Sequence, residues 1–365
     1  SFGKAEMSWM VGSTKHTITS NTVIPSGIWH HIGVIYDGTT AKMYIDGVTT
    51  VSANMPNVPS TTQSFLIAAA DGVTPTSLFN GSIDEVRVWD VALSEAQFRY
   101  VINQEIQKNG TLTNGSIIPG TITLNDISSI QWNKLSAYYP MSTYTYTNAK
   151  DISENNFTAA LRNLTTVDRQ TAPLPYESAA DGLWQTATSW MNNTVQDLPY
   201  SISIEDASKT IDWNIVKITH NITLQGDKTV LGLYVGVISG SKLTATTTSG
   251  LQTDGTKIEV THYLKLDGTI DLVGRSQLVQ TEGSDLDTSS KGFIKRDQQG
   301  QANKYNYNYW SSPVGPVNDM SNNNPYTVDS ILRDGTNPSN PGPITWIGGY
   351  DGALTPFSLA RYWIY

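Results

Sequence analysis

The stretch Phe79-Asn80-Gly81-Ser82-Ile83-Asp84-Glu85-Val86-Arg87-Val88-Trp89-Asp90-Val91-Ala92-Leu93-Ser94 leaves the chain little choice of fold. Val86 and Val88 point to one side of an extended strand and Ile83 falls out of phase with them. Either both faces are partly covered or a bulge near Asp84 and Glu85 resets the register. Ser94-Glu95-Ala96-Gln97 then reads as a capping box, with Phe98, Val101, Ile102 and Ile106 as the apolar stripe of the chain's one convincing helix. Upstream stands a companion, Trp29-His30-His31-Ile32-Gly33-Val34-Ile35-Tyr36-Asp37-Gly38, followed by Lys42-Met43-Tyr44-Ile45-Asp46-Gly47. Ile32, Val34 and Tyr36 share one parity while Trp29 and Ile35 take the other, which suits a central strand covered on both sides. Asp37-Gly38-Thr39-Thr40 supplies a hairpin loop, and Asp46-Gly47 fits the two positive-φ positions of a type I′ turn.

With their order and spacing, these two motifs resemble the laminin-G-like (concanavalin A-like, pentraxin-like) jelly-roll family over residues 1–106. The resemblance implies a two-sheet sandwich whose usual business is recognition at cell surfaces. It also implies that the opening strands of the jelly roll lie before Ser1, so the chain is expected to be a segment of a longer polypeptide. Related jelly-roll glycanases carry a Glu-x-Asp-x-x-Glu strand, and Ser82 stands here where the first Glu should be. Asp84 and Glu85 are neighbours on an extended strand and point to opposite faces, a geometry that does not flank one glycosidic bond. No catalysis is therefore expected, and Asp84 is read as a structural residue of the sheet-edge turn. Pentraxin-like relatives place calcium ligands where Asp71 falls, so calcium at Asp71 is the one metal, and the one cofactor, that the resemblance implies. Ala68-Ala69-Ala70-Asp71-Gly72 offers a single carboxylate, and an ordinary Asp-Gly turn accounts for it equally.

Composition narrows the function classes. A chain of 365 residues with 38% hydrophobic content is long enough for two or three domains, and a charged fraction of only 15% amid Thr, Ser, Asn, Gly and Tyr favours sheet and turn. The net charge of −9 comes without a Lys/Arg cluster, which speaks against nucleic acid and anionic membrane as partners. No apolar run approaches the roughly 18 residues of a membrane span. The absence of cysteine excludes disulfides, thiolate metal sites and a cysteine nucleophile. His16, His30, His31, His220 and His262 show no paired metal spacing, and no hydrolase, P-loop or dinucleotide motif is present.

Residues 107–127 form a Gly- and Thr-rich connector. Leu135 to Pro140 with Asp151-Ile152-Ser153 resembles the opening of a second laminin-G-like module, but no matching pair of motifs follows, so 128–180 is expected to be a short bridging β unit. Over 181–300 short alternating strands punctuated by glycines predict a stacked β array or short solenoid, and 301–365 begins a further, partial β module. The expected class is thus all-β, a jelly-roll sandwich followed by the array. Trp184, Trp190, Tyr305 to Gly315 and Ile344 to Tyr365 resemble a module of large Bacteroidota surface proteins exported by the type IX secretion system. That resemblance implies a secreted or cell-surface adhesin or scaffold that recognises extracellular glycan or surface protein, with attachment or gliding motility as its setting. The alternatives are a non-catalytic accessory region of a secreted polysaccharide-degrading enzyme, or a structural stalk. Tyr and Trp, at 18 and 10, outnumber the 7 Phe, as they do where a ring packs on one side and meets water or a polar ligand on the other. Tyr305, Tyr307 and Tyr309 would share one strand face, whereas Tyr138 and Tyr139 are expected in packing.

Overall fold

The computed structural model describes residues 3–70, 74, 76–142, 145, 147–164, 172–191, 198–236, 240–247, 254–298, 306–307, 309, 325, 327–337 and 340–364. The chain is all-β apart from short helices. It opens with a hairpin of β1 (Glu6–Val11) and β2 (Thr14–Thr19), then an antiparallel meander of β3 (Ile32–Tyr36), β4 (Thr40–Ile45) and β5 (Val48–Asn54). Asp46 and Gly47 sit at φ 52° and 83° between the paired residues Ile45 and Val48, as the type I′ reading requires. The meander is covered on both sides. Ala41 and Met43 pack with Ile18, Val34 and Tyr36 toward the first hairpin, while Ile35, Tyr44 and Val48 face the helix.

β6 (Val86–Trp89) follows, and then α1 (Glu95–Ile102), whose Ser94 cap and Gln97 side chain form the expected capping box. The helix stops at Ile102, so Ile106 is no part of its stripe and instead begins β7 (Ile106–Asn109), paired with β8 (Leu112–Gly115). Residues 107–127, polar by composition, reach the interior through their isoleucines, with 107–111 left exposed. Ile118, Ile122 and Ile127 lie in one buried cluster with Phe98, Tyr100 and Leu135. β9 (Leu135–Tyr139) does not open a second sandwich, because it pairs antiparallel with β6. The small hairpin of β10 (Asn148–Ala149) and β11 (Ala159–Ala160) packs beside it, and Asp151 accepts the Tyr138 amide at 2.9 Å.

The next strands stack in parallel, and successive passages of the chain feed two sheets in turn. One sheet runs β12 (Tyr176–Glu177), β14 (Ile215–Ile218), β16 (Lys228–Val235), β18 (Lys257–Leu266) and β20 (Gln277–Gln280), with β21 (Asp285–Leu286) also paired to β18. The other runs β13 (Gly182–Leu183), β15 (Asn221–Leu224), β17 (Lys242–Ala245), β19 (Thr269–Leu272) and β22 (Phe293–Arg296). Alternation sends Val216, Ile218, Leu233, Val235, Leu264 and Leu266 from one sheet and Ile222, Leu224, Leu243, Ala245 and Ile270 from the other into one aliphatic core. Trp184 and Trp190 belong to the same core, edge to face with ring centroids 5.1 Å apart. The one-turn helix α2 (Val328–Ile331), the pair β23 (Arg333–Asp334) and β24 (Gly342–Pro343), and a sheet of β25 (Thr345–Ile347), β27 (Phe357–Ala360) and β26 (Ala353–Leu354) complete the described chain.

The sandwich is seated on the array. In β16 and β18 the register shifts after Val230 and Val260, and beside it Leu231 and Tyr263, at outward positions, join the cluster built by Tyr44, Val48 and α1. Gly232 lies beside Ile215 on that seam, and a Cβ there would come within 2.8 Å of Ile118. Trp213 pins the joint. Its Nε1 donates to the Asp46 carbonyl at 3.2 Å, its own carbonyl accepts from Asn103 at 3.3 Å, and the Arg99 guanidinium lies 4.1 Å from its ring centroid. Thr123 adds a polar tie, its amide donating to Asp285 at 2.8 Å.

Candidate functional site

Glu85 adopts φ 54° just before β6, which starts at Val86, so Ile83 lies outside the strand, and the register shift of β6 against β9 falls between Val88 and Trp89. The Glu85 carboxylate turns inward. Its Oε2 accepts from the Tyr138 hydroxyl at 2.7 Å and pairs with the Arg87 guanidinium, the two charged side chains being 9% and 8% exposed. Arg87 also donates to the carbonyls of Val101 and Gln104 at 2.7 and 2.8 Å, and its guanidinium lies 5.0 Å from the Tyr138 ring centroid. Burial pushes the Glu85 carboxyl up while Arg87 and Tyr138 pull it down. Asp84 is half-buried in the preceding turn. In a glycosidase one carboxyl protonates the glycosidic oxygen and a second attacks the anomeric carbon or activates a water, whereas Glu85 faces Arg87 and Tyr138.

The other sandwich candidates are structural in the same sense. Asp46 is 2% exposed and orients both histidines, with Oδ2 on His30 Nδ1 at 2.7 Å and Oδ1 on the His31 amide at 2.8 Å. The His31 ring packs edge-on against Phe98. Burial pushes its pKa down to about 4, with Asp46 pulling the other way and Arg87 adding to the fall, so it is neutral at pH 7. Asp37 caps its own loop, accepting from the amides of Thr40 at 2.8 Å and Thr39 at 2.9 Å, and these bonds hold its carboxyl down at about 2. Asp71, the expected calcium residue, lies outside the described residues. The loop that carries it is closed by reciprocal backbone bonds between Ala70 and Thr76 at 2.8 and 2.7 Å, and Asp71 is its only carboxylate in sequence. Calcium takes roughly six to eight oxygens. Among the described residues no three His, Asp or Glu side chains converge on a metal-sized site.

An open groove lies on the array. Two residues beyond the seam column Ile215, Gly232 and Tyr263, the same outward face carries Lys217, Tyr234 and Lys265 in register, with Glu177 beside Lys217. Lys217 and Glu177 form an ion pair at 3.1 Å. The Lys265 ammonium sits 3.1 Å from Asp287 Oδ1, donates to the Ser289 hydroxyl, and lies 3.8 Å from Asp267 Oδ2. Tyr263 donates to Asp287, the Tyr234 hydroxyl donates to Asp267 Oδ2 at 3.4 Å, and the Lys291 amide donates to Asp267 Oδ1 at 3.1 Å. Burial acts to raise the Asp287 carboxyl, but hydrogen bonds from Ser289, Tyr263 and Lys265 outweigh it and hold the group at about 2. Tyr234, Gly236, Lys265, Asp267, Ser289 and Lys291 line an open groove of about 410 Å³.

Residues 2–98 match the concanavalin A-like lectin/glucanases superfamily. The match takes in both motifs and reaches α1, so over these residues the sandwich unit is lectin/glucanase-like in sequence. No curated protein matches the chain. Among solved structures, an S-layer domain-containing protein from Clostridium thermocellum ATCC 27405 (residues 221–444) is 28% identical over 26% of this chain and 48% of that one, with a TM-score of 0.19. The chain thus spans about half the length of that solved segment.

Outside the lectin/glucanase-like unit, Tyr138 and Tyr139 are buried, as packing residues should be. Tyr307 and Tyr309 are exposed, at 66% and 92%, while Tyr305 and Trp310 lie outside the described residues. The groove at Tyr234 was not singled out by sequence. Sequence offered only part of its signal, a tyrosine next to inward aliphatic positions of β16, because the two outward lysines beside it come from neighbouring strands.

Proposed function

We propose that this chain is a non-catalytic recognition and scaffold segment of a secreted or cell-surface protein, binding extracellular glycan or surface protein. One observation carries the reading. The two Glu positions of the Glu-x-Asp-x-x-Glu strand of related glycanases fall on Ser82 and Arg87, and Arg87 is enclosed in an ion pair with Glu85 beside Tyr138. What remains for partners is surface, the loops of the lectin/glucanase-like unit and the open face of the array, with the joint at Trp213 holding the two together. Among the described residues no helix is long and apolar enough to cross a membrane. Export by a type IX secretion system of a Bacteroidota bacterium, with attachment or gliding as the setting, belongs to the same proposal and is supported by the sequence pattern of residues 128–365.

The test is a binding screen of the chain against immobilised glycans and surface proteins, with and without calcium, paired with an assay for released sugars. Retention without turnover is the expected result. Sugar release that disappears in Glu85→Gln would make the chain an enzyme and end this reading.

A further inference from the structure

We propose that the groove at Tyr234 binds a neutral, polyhydroxylated ligand, a saccharide chain of hexose type. The inference rests on the recognition reading above and adds to it a place and a ligand class. Its volume of about 410 Å³ falls within the roughly 300–1,000 Å³ of small-ligand sites. Charge selects among ligands of that size. Lys265 and Lys291 stand against Asp267 and Asp287, so the local charges cancel and neither an anionic nor a cationic ligand gains a net attraction.

The polar groups are held in place with capacity to spare. An ammonium has three donors. Asp287 and Ser289 engage two of those on Lys265, and Asp267 at 3.8 Å lies beyond hydrogen-bond reach of the third. The Asp267 carboxylate accepts from the Lys291 amide and, at the long distance of 3.4 Å, from Tyr234, which leaves lone pairs facing the groove. A donor and an acceptor fixed side by side match a pair of neighbouring hydroxyls, each able to give and take a hydrogen bond. The Tyr234 ring beside them offers the apolar face against which the C–H side of a sugar ring packs. A peptide would need an open strand edge or apolar side-chain pockets, and the lining has neither.

The experiment presents the 365-residue chain to an array of neutral, sulfated and sialylated glycans, then titrates the best neutral binder by calorimetry. Neutral glycans are expected to be retained at least as well as charged ones, with affinity unchanged between about 0.05 and 0.5 M salt. Tyr234→Ala should weaken binding about tenfold, ~1.4 kcal/mol. Tyr234→Trp should preserve it, and Asp267→Asn should weaken it with the melting temperature held. No retained neutral glycan, a clear preference for charged glycans, or full affinity in Tyr234→Ala overturns the assignment. Full affinity in Tyr234→Ala would leave the recognition reading standing on another surface, whereas sugar release would remove that reading instead.

Discussion

The sandwich and the array bury their strands in different ways. Inside the array the facing residues are aliphatic and sealed, with Val216, Leu224, Val230, Leu243, Val260 and Ile270 all at 0% exposure. The sandwich interior is mixed. Asp46, His30, His31, Glu85 and Arg87 lie among its apolar side chains, while Ile32 and Val88 on its strands are 50% and 36% exposed. Parallel strands stacked rung on rung repeat one local solution, and each rung shields the next. The antiparallel unit must turn tightly and close on distant strands, and it uses buried polar pairs to fix those turns. Its stability therefore responds to charge and pH, whereas that of the array core responds to volume.

The largest effect is expected at the joint. Trp213→Ala should cost about 3–5 kcal/mol and split denaturant unfolding into two transitions, one per region. A single transition in that variant would mean the regions are coupled elsewhere. Arg87→Met should destabilise the sandwich by about 3 kcal/mol by stranding Glu85, and Glu85→Gln with Arg87→Met should recover much of the loss. Equal costs in the single and double variants would remove the buried pair from the account. Acid separates the regions next. The folded pKa of His31 near 4 lies below its ordinary 6.5, so the unfolded chain takes up the proton first. The stability this contributes is full above pH 6.5 and is lost as the pH falls toward 4. The sandwich transition should drop over that window, and His31→Gln should flatten it. Gly47→Ala should cost about 1–2 kcal/mol, since φ is 83° there and the new Cβ would lie 2.7 Å from Trp213. Calcium at Asp71 is the smallest effect. A site of millimolar affinity would raise sandwich stability by under ~1 kcal/mol, abolished in Asp71→Asn, and identical melting curves in calcium and chelator would dispose of it.

The same contrast explains what could be read in advance. The Asp46-Gly47 turn and the Ser94 capping box were legible because each is decided within a few residues. The strands of the array were legible because alternation persists along most of their length, β16 changing phase between Val230 and Leu233. The fate of residues 107–127 was hidden by Gly and Thr around Ile118, Ile122 and Ile127, whose burial depends on a surface supplied by α1 and β16. The pairing of β9 with β6 and the seat of Trp213 under Asp46 join positions far apart in the chain, and no local pattern encodes them. Among the candidate residues, the phase of Ile83 marked an irregularity before β6 but could not supply Arg87 and Tyr138 as the partners of Glu85. Tyr234 became a candidate only once the register had set it between Lys217 and Lys265.

The apolar outward positions Ile215, Leu231 and Tyr263 have a use beyond this molecule. A perfectly regular stack shows its neighbours only what strict alternation puts outside, and a passenger unit finds little oily surface on which to moor. Here Ile215, Leu231 and Tyr263 stand at outward positions of three neighbouring strands and make a berth. A longer array of this kind would moor cargo wherever its outward positions turn apolar.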